Sequence, residues 1–287
     1  MPSLKEIRNR ITSVGSTMQI TSAMKMVSAA KLKRAQDAIT QMRPYSTKLK
    51  EILGNLSSSL DLSENVFSET RNDNKVLIIG ITSNRGLCGG FNNNVIKQVN
   101  NHIAQDPNVK VLCLGKKIKD VIKKTPNYYI NENLQQAEDI FSNLSFENVG
   151  LIASDIMKLF TQKEFSKVIV IYNRFVNAAT QIVEEEQFLP IVPNVSESSS
   201  VGDYIFEPSK EEIVGDLIPK SLKIQLFKAI LDSHAAEHGA RMTAMHKATD
   251  NANELQRGLK LSYNKARQAA ITNEILEIVG GAEALNS

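Results

Sequence analysis

A glycine-rich loop lies at a position where many proteins bind phosphate. The segment VLIIGITSNRGLCGGFNNNV begins at Val76 with an apolar run and continues into a helix-like stretch. Between them lie Gly86, Gly89 and Gly90, and the N–H groups at such a strand-to-helix corner can hold an anion. The loop lacks the lysine and hydroxyl of a Walker A motif, and its glycine spacing does not fit the dinucleotide-binding fingerprint, although Asp106 lies at a suitable distance. The pattern favours a structural corner, with a nucleotide-binding enzyme as the alternative.

A second candidate for chemistry is the pattern His-x-x-Glu-His at His234, Glu237 and His238. Histidines four residues apart share one face of a helix, and this order of residues occurs in the inverted zinc peptidases, with the glutamate as a possible base. The motif lies inside a long predicted helix that offers no evident cleft and no third protein ligand. We therefore expect a structural role, and we keep a zinc metallopeptidase as the enzymatic alternative. No catalytic residue, cofactor site or metal site is predicted.

Charge is unevenly distributed along the chain. The 287 residues carry a net charge of +3, yet residues 1–50 hold ten basic and two acidic side chains. This surplus favours a partner with an acidic surface. Nucleic acid is disfavoured because the basic residues overlap the heptad positions instead of preceding a zipper. Two cysteines are too few for a disulfide framework and indicate a reducing compartment, and no apolar run reaches the length of a membrane span.

Residues 1–58 are predicted to form one coiled-coil helix. Apolar or small residues recur at heptad spacing, strongly at both ends of the segment. In the middle, Thr21, Lys25 and Ser28 occupy seam positions, so we expect that section to face something other than its partner helix. Pro44 should kink or interrupt the helix.

The middle of the chain, residues 75–195, alternates strand-like and helix-like segments. Apolar runs such as KVLIIGIT, VKVLCLG and KVIVIYNRF are separated by helical patterns, and TQIVEEEQFLPI has the pattern of an added edge strand. This alternation predicts a small, mostly parallel, Rossmann-like α/β domain with helices on both faces of its sheet.

Residues 209–287 are predicted to form a second long helix, with Pro219 in its first turn. Such a helix far exceeds the usual length in a globular domain, so the two terminal helices are the natural partners for each other. The predicted fold class is therefore α/β, with a long antiparallel coiled coil of the N- and C-terminal helices and an inserted Rossmann-like α/β domain.

Three separated segments resemble the γ subunit family of the F-type ATP synthase. They are IRNRITSVGSTMQITSAMKMVSAAKLKRAQ at residues 7–36, TSNRGLCGGFN at residues 82–92 and ITNEILEIVGGAEAL at residues 271–285. The segments occur in the order expected for the family, and the resemblance covers the whole chain.

The resemblance implies a rotor subunit rather than an enzyme. In the family, the terminal helices form a bent coiled coil inside a ring of three α and three β subunits, and the sheet domain lies against the ε subunit and the membrane c-ring. Proton or sodium flow through the c-ring turns this central stalk, which drives the β sites through ATP synthesis. The assembled complex is a proton-transporting two-sector ATPase, whereas this subunit is expected to need no cofactor.

The resemblance also assigns contact residues by position. Residues expected to meet the β subunits are Met24, Lys25, Arg267, Gln268, Thr272 and Glu274. Residues expected to lie near the c-ring are Arg43, Pro44 and Tyr45. Because the chain has neither a transit peptide nor the regulatory cysteine segment of chloroplast forms, we expect a bacterial protein at the cytoplasmic face of the inner membrane. A coiled-coil scaffold that does not rotate is the remaining alternative.

Overall fold

The computed structural model describes residues 3–59, 66–71, 73–191 and 210–286. Its main elements, in chain order, are α1 (Leu4–Ser59), β1 (Val76–Ile81), α2 (Phe91–Gln105), β2 (Lys110–Leu114), α3 (Lys116–Ile122), α4 (Phe146–Thr161), β3 (Lys167–Phe175), β4 (Gln181–Leu189) and α5 (Lys210–Asn286). Two 3₁₀ segments span Val66–Ser68 and Glu132–Ser142.

The chain forms two compact units. The helical unit comprises Met1–Val27 and Met242–Ser287, and the sheet unit comprises Ser28–Arg241. Each long helix therefore contributes to both units. The division into segments 1–58, 75–195 and 209–287 stays a prediction.

The sheet unit is built around four strands in the order β2-β1-β3-β4. The first three strands are parallel, and β4 pairs antiparallel with β3. In the centre, Ile79 of β1 is in register with Leu112 of β2 and with Val170 of β3. The predicted edge strand is thus β4, joined to β3 by a short turn.

Helices cover both faces of this sheet because its parallel strands β1, β2 and β3 are largely apolar on both sides. On one face, Leu77 and Ile79 belong to a core completed by α4 and by the first part of α5. On the other face, Ile78 packs in a core with Val95 of α2 and Ile118 of α3. The predicted fold class, with helices at both ends and a mixed sheet between them, is confirmed.

In the helical unit, α1 and α5 run antiparallel. Arg8 donates to the hydroxyl of Tyr263 at 2.7 Å, and the hydroxyls of Thr21 and Thr249 lie 2.8 Å apart. From the first pair to the second, the position moves 13 residues forward along α1 and 14 residues back along α5. The two helices therefore keep a nearly constant register. By this register, Leu4 at the start of α1 lies opposite about residue 267 of α5, and the last turns of α5 continue past it.

Two expectations about the helices are wrong, and a third is wrong in part. Thr21 is buried against Thr249, and Ser28 is also buried at 2% exposure, so this part of the seam does not face outward. The polar seam survives because small hydroxyl side chains can bond to each other or to their own backbone. Of the three polar seam residues Thr21, Lys25 and Ser28, only Lys25 is partly exposed.

The prolines do not end the helices either. The helix α1 runs through Pro44, so this proline does not interrupt it, whereas a kink there stays a prediction. Pro219 lies inside α5 instead of in its first turn. Buried residues on both sides of each proline, such as Ile39 and Leu49 around Pro44, hold the helix in place, so packing outweighs the lost backbone hydrogen bond. Among the described residues, no helix is long and apolar enough to cross a membrane.

Candidate functional site

The glycine-rich loop after β1 is held together by its own side chains. The amide oxygen of Asn92, in the first turn of α2, accepts a hydrogen bond of 2.9 Å from the backbone N–H of Ser83. Its amide nitrogen donates to the sulfur of Cys88 at 3.2 Å. Leu87 and Gly89 adopt positive φ angles of 63° and 60°, which turn the chain sharply. The loop is therefore a tight, internally bonded corner.

This loop is also fixed to α5 by one buried arginine. Arg241 donates to the backbone carbonyl of Arg85 at 2.9 Å and to that of Gly86 at 3.3 Å. Cys88 and Phe91 pack against Ala236 and Ala240 on the same face of α5. We name this contact the loop–helix junction; it comprises residues 85–91 of the loop and residues 236–241 of α5.

A second loop of the sheet unit approaches the same face of α5. A Cβ atom at Gly239 would lie 3.2 Å from the Cα atom of Ala178, in the turn between β3 and β4. Glycine at this position lets the backbone of the turn come close to the helix. Two loops at the carboxyl end of β1 and β3 therefore anchor the sheet to α5.

The two histidines of the His-x-x-Glu-His pattern bond to each other. Their Nε2 atoms are 3.1 Å apart, so one ring donates and the other accepts. Burial is the main reason that the pKa of His234 falls to about 4 and that of His238 to about 3, and the positive charges of Lys31 and Arg241 act in the same direction. Both rings are neutral near pH 7, which suits a shared hydrogen bond.

The glutamate of the pattern is occupied by an ion pair. Glu237 accepts from Arg241 at 2.7 Å, and both side chains are less than a tenth exposed. Burial raises the pKa of Glu237, while the adjacent guanidinium of Arg241 lowers it. Among the described residues, no group of three or more His, Cys, Asp or Glu side chains could hold a metal ion. The geometry gives the zinc-peptidase alternative no support.

Arg241 is the central residue of the loop–helix junction, and sequence reasoning missed it. Its signal was the Glu-x-x-x-Arg spacing from Glu237, which places the two charges on one helical face. The bonds from Arg241 to the loop carbonyls could not be found from spacing, because they join residues more than 150 positions apart.

The residues expected to meet the β subunits are not gathered into one local site. Met24 and Lys25 on α1 are partly exposed. Those on α5 are exposed and lie in its last turns: Arg267, Gln268, Thr272 and Glu274. The only hydrogen bond within this set runs inside the helix, from the hydroxyl of Thr272 to the carbonyl of Gln268 at 3.0 Å.

The residues expected near the c-ring are adjacent on α1 in the sheet unit. Arg43, Pro44 and Tyr45 are all exposed, and Tyr45 retains 58% of its accessible surface. An exposed tyrosine beside an arginine is a typical composition for a protein–protein contact.

Comparisons with known proteins agree along the whole chain. A family model described as ATP synthase matches residues 3–285. The ATP synthase gamma chain of Flavobacterium johnsoniae is 63% identical over 290 aligned residues and covers 100% of both chains. The chain belongs to the ATP synthase gamma chain family. The gamma chain of Christiangramia forsetii is 59% identical, again over all of both chains.

Solved structures support the same fold for this gamma chain family member. A chain from the Euglena gracilis mitochondrial ATP synthase, in a structure of the OSCP/F1/c-ring assembly, superposes with a TM-score of 0.65 at 21% identity and covers 98% of this chain and 94% of that one. A chain from the central stalk/c-ring structure of the Tetrahymena thermophila mitochondrial enzyme gives a TM-score of 0.57 at 22% identity, covering 80% and 99%.

Family membership decides between the functional classes left open by the sequence. The gamma chain is a non-catalytic subunit of the synthase, with the rotor role, so the protein is not itself an enzyme. The predicted family and the predicted class of function are both confirmed.

Proposed function

We propose that this chain is the central-stalk rotor that couples proton or sodium flow through a c-ring to ATP synthesis on β subunits. Its partners are the α, β and ε subunits and the c-ring, and its place is the cytoplasmic face of a bacterial inner membrane. The bacterial gamma chains that it resembles support this placement. Membrane association comes through the complex.

The observation that carries the proposal is the exposed end of α5. Beyond the part paired with α1, this helix keeps large apolar side chains about half exposed or more: Ile271, Ile275, Leu276, Ile278 and Val279. At about 100° per residue they share one broad face of the helix, and Arg267 and Glu274 lie at one edge of it. An exposed helix end with a broad apolar face is suited to a partner that covers this face.

A rotor changes a catalytic site only if its contacts differ in free energy between the open and closed states of that site. The last turns of α5 have different side chains on each side, so a surrounding ring of identical subunits meets a different surface at each position. We propose that Arg267, Gln268, Thr272 and Glu274, together with Met24 and Lys25 on α1, form these contacts with β. We also propose that Arg43, Pro44 and Tyr45 contact the c-ring.

The test is reconstitution of the full chain with α and β subunits from the same source. We expect a stable complex whose ATPase activity rotates a bead attached to the sheet unit. Replacing Arg267 and Gln268 by alanine should lower ATPase turnover, because charge-assisted contacts that form only in some rotor positions are lost. The matched control is Lys220→Ala, which removes an exposed positive charge from α5 within the sheet unit.

Two outcomes would count against different parts of the proposal, the rotor role and the set of contact residues. Assembly without rotation would favour a static scaffold. Wild-type turnover in the Arg267/Gln268 double variant would remove these two residues from the contact set while leaving the rotor role intact.

A further inference from the structure

A cavity of about 410 Å³ lies in the sheet unit between α1, α5 and the end of β3. It is lined by Ile39, Met42, Arg43, Ser46, Thr47, Arg174, Phe175, Lys228 and Asp232. Its volume is within the range of small-molecule sites in proteins. It is separate from the loop–helix junction and from the last turns of α5, and it shares only Arg43 with the proposed c-ring contact.

Positive charge dominates the cavity. Arg43 comes from α1, Lys228 from α5 and Arg174 from β3. Arg174 is paired with Glu184 at 2.5 Å, but neither Arg43 nor Lys228 forms an ion pair with any residue that the structure describes. Both cations act on the Asp232 carboxylate by charge, but one acid does not balance them, and the net positive lining is suited to binding an anion between the two helices.

The single acidic residue of the lining is almost fully buried. Asp232 retains 5% of its accessible surface and makes no hydrogen bond with the described part of the chain. Burial raises the pKa of its carboxyl, while Lys228 and Arg43 lower it and Glu184 raises it. The Asp232 oxygens are not among the fully enclosed, unpartnered side-chain atoms of the described residues, so a donor in the cavity can bond to them.

Hydroxyl groups complete the polar part of the lining. Ser46 is buried at 8% exposure and Thr47 follows it on α1. Neither side chain forms a hydrogen bond within the described residues, so both can donate to an oxyanion in the cavity.

We propose that this cavity binds a phosphate group that carries a proton, either as free hydrogen phosphate or as the end of a phosphomonoester. Arg43 and Lys228 neutralise its charge, the hydroxyls of Ser46 and Thr47 donate to its oxygens, and the Asp232 carboxylate accepts the hydrogen bond from its P–OH group. This arrangement discriminates against sulfate, because sulfate has no proton near pH 7 and would place its oxygens against the Asp232 carboxylate unpaired.

The test uses the isolated full-length chain, since the catalytic subunits of the complex would bind phosphate and nucleotide themselves. Sodium phosphate, sodium sulfate and AMP, a phosphomonoester, are titrated separately at pH 7 by calorimetry, with circular dichroism to check folding. We expect phosphate to bind at least about tenfold more tightly than sulfate. Tighter binding of AMP than of phosphate would identify a phosphomonoester as the ligand, and weaker binding would identify free phosphate.

Variants then connect binding to the cavity. Lys228→Gln should weaken phosphate binding about tenfold or more, whereas Lys220→Gln, on an exposed part of the same helix, should not change it. Asp232→Asn should remove the preference for phosphate over sulfate. Arg43 is left unchanged because it also belongs to the proposed c-ring contact.

The proposal is overturned if the folded wild-type chain binds no phosphate at about 10 mM, a concentration that would detect even affinities weaker than millimolar. It is also overturned if sulfate binds as well as phosphate, or if Lys228→Gln and Lys220→Gln behave alike.

Discussion

The two units of this molecule differ in how they use their surfaces. The sheet unit buries an apolar core on each face of its sheet, together with the Glu237–Arg241 ion pair. In the helical unit, only four of the described residues are buried: Ile7, Thr21, Met245 and Ala252. The sheet unit is thus stabilised by its own contacts, whereas the helical unit leaves most of its surface for other subunits.

This difference fits a rotor. The part that must keep its shape while transmitting force needs many internal contacts, and the part that slides inside a ring must not be committed to fixed partners. Substitutions should therefore act mainly on folding in the sheet unit and mainly on assembly or turnover in the helical unit.

The largest effect is expected from Arg241→Ala. It leaves Glu237 buried without its charge partner and removes the hydrogen bonds to the carbonyls of Arg85 and Gly86. Breaking a buried ion pair from one side costs about 3–5 kcal/mol of unfolding free energy. Urea unfolding of the full chain measures this cost.

The matched control for that substitution is Arg257→Ala on the exposed part of α5 in the helical unit. We expect it to change stability by less than about 0.5 kcal/mol. Equal losses in the two variants would mean that the units do not differ in the way proposed.

The second effect is a pH dependence confined to the sheet unit. The pKa values of His234 and His238 are lowered to about 4 and about 3, below the ordinary value of about 6.5. The unfolded chain therefore takes up protons first, and stability is lost as the pH falls below about 6.5. We expect the pair to contribute a loss of about 3–4 kcal/mol between pH 7 and pH 5.

Urea midpoints measured across this pH range provide the test. Replacing both histidines by glutamine should flatten the dependence, even if the variant is less stable at pH 7. His246→Gln, at an exposed position in the helical unit, should leave the slope unchanged. A wild-type slope in the double variant would show that other groups control the acid response.

A third comparison uses two glycines. Gly115 has a φ of 101°, and a Cβ atom there would lie 2.1 Å from the carbonyl oxygen of Thr82. Gly115→Ala should therefore lower the free energy of unfolding by about 1–3 kcal/mol or more. Gly258 lies in α5 with nothing within 4 Å, so Gly258→Ala should stabilise the isolated chain by about 0.5–1 kcal/mol. Urea unfolding compares them, and opposite signs are the decisive result.

The sequence predicted the sheet unit better than the details of the helices. Apolar runs around Ile79, Leu112 and Val170 could be recognised as strands because strands buried on both faces have no polar alternation. Pro44 and Pro219 were misjudged because local propensity opposes a helix there, whereas packing of residues distant in sequence supports it.

The candidate contacts were accessible to sequence reasoning only through family resemblance. Nothing in the spacing of Arg267 or Gln268 indicates a partner, since an exposed arginine on a helix is usually only solvated. The loop–helix junction was not accessible at all, because Arg241 and the carbonyl of Arg85 meet only after the sheet has formed.

The smallest effect concerns the polar pair inside the helical unit. Thr21 and Thr249 bond to each other, and each hydroxyl also has a carbonyl on its own helix, Met18 and Met245, within 3.1 Å. Thr21→Val alone should cost at most about 1 kcal/mol, and replacing both residues by valine should be close to neutral or stabilising. A double-mutant cycle in urea should then give a coupling energy of about 0.5–1 kcal/mol.

The same double variant tests whether this pair fixes the alignment of the two helices. Gly15 and Gln256 lie opposite each other in the observed register, with 2.9 Å between a Cβ built at Gly15 and the Gln256 amide nitrogen. Cysteines introduced at these two positions report the register through their crosslinking yield. A stable double valine variant that crosslinks poorly would show that the hydroxyl pair specifies register at little cost in stability, as single polar residues do in other coiled coils. Undiminished crosslinking would assign the register to the apolar seam instead.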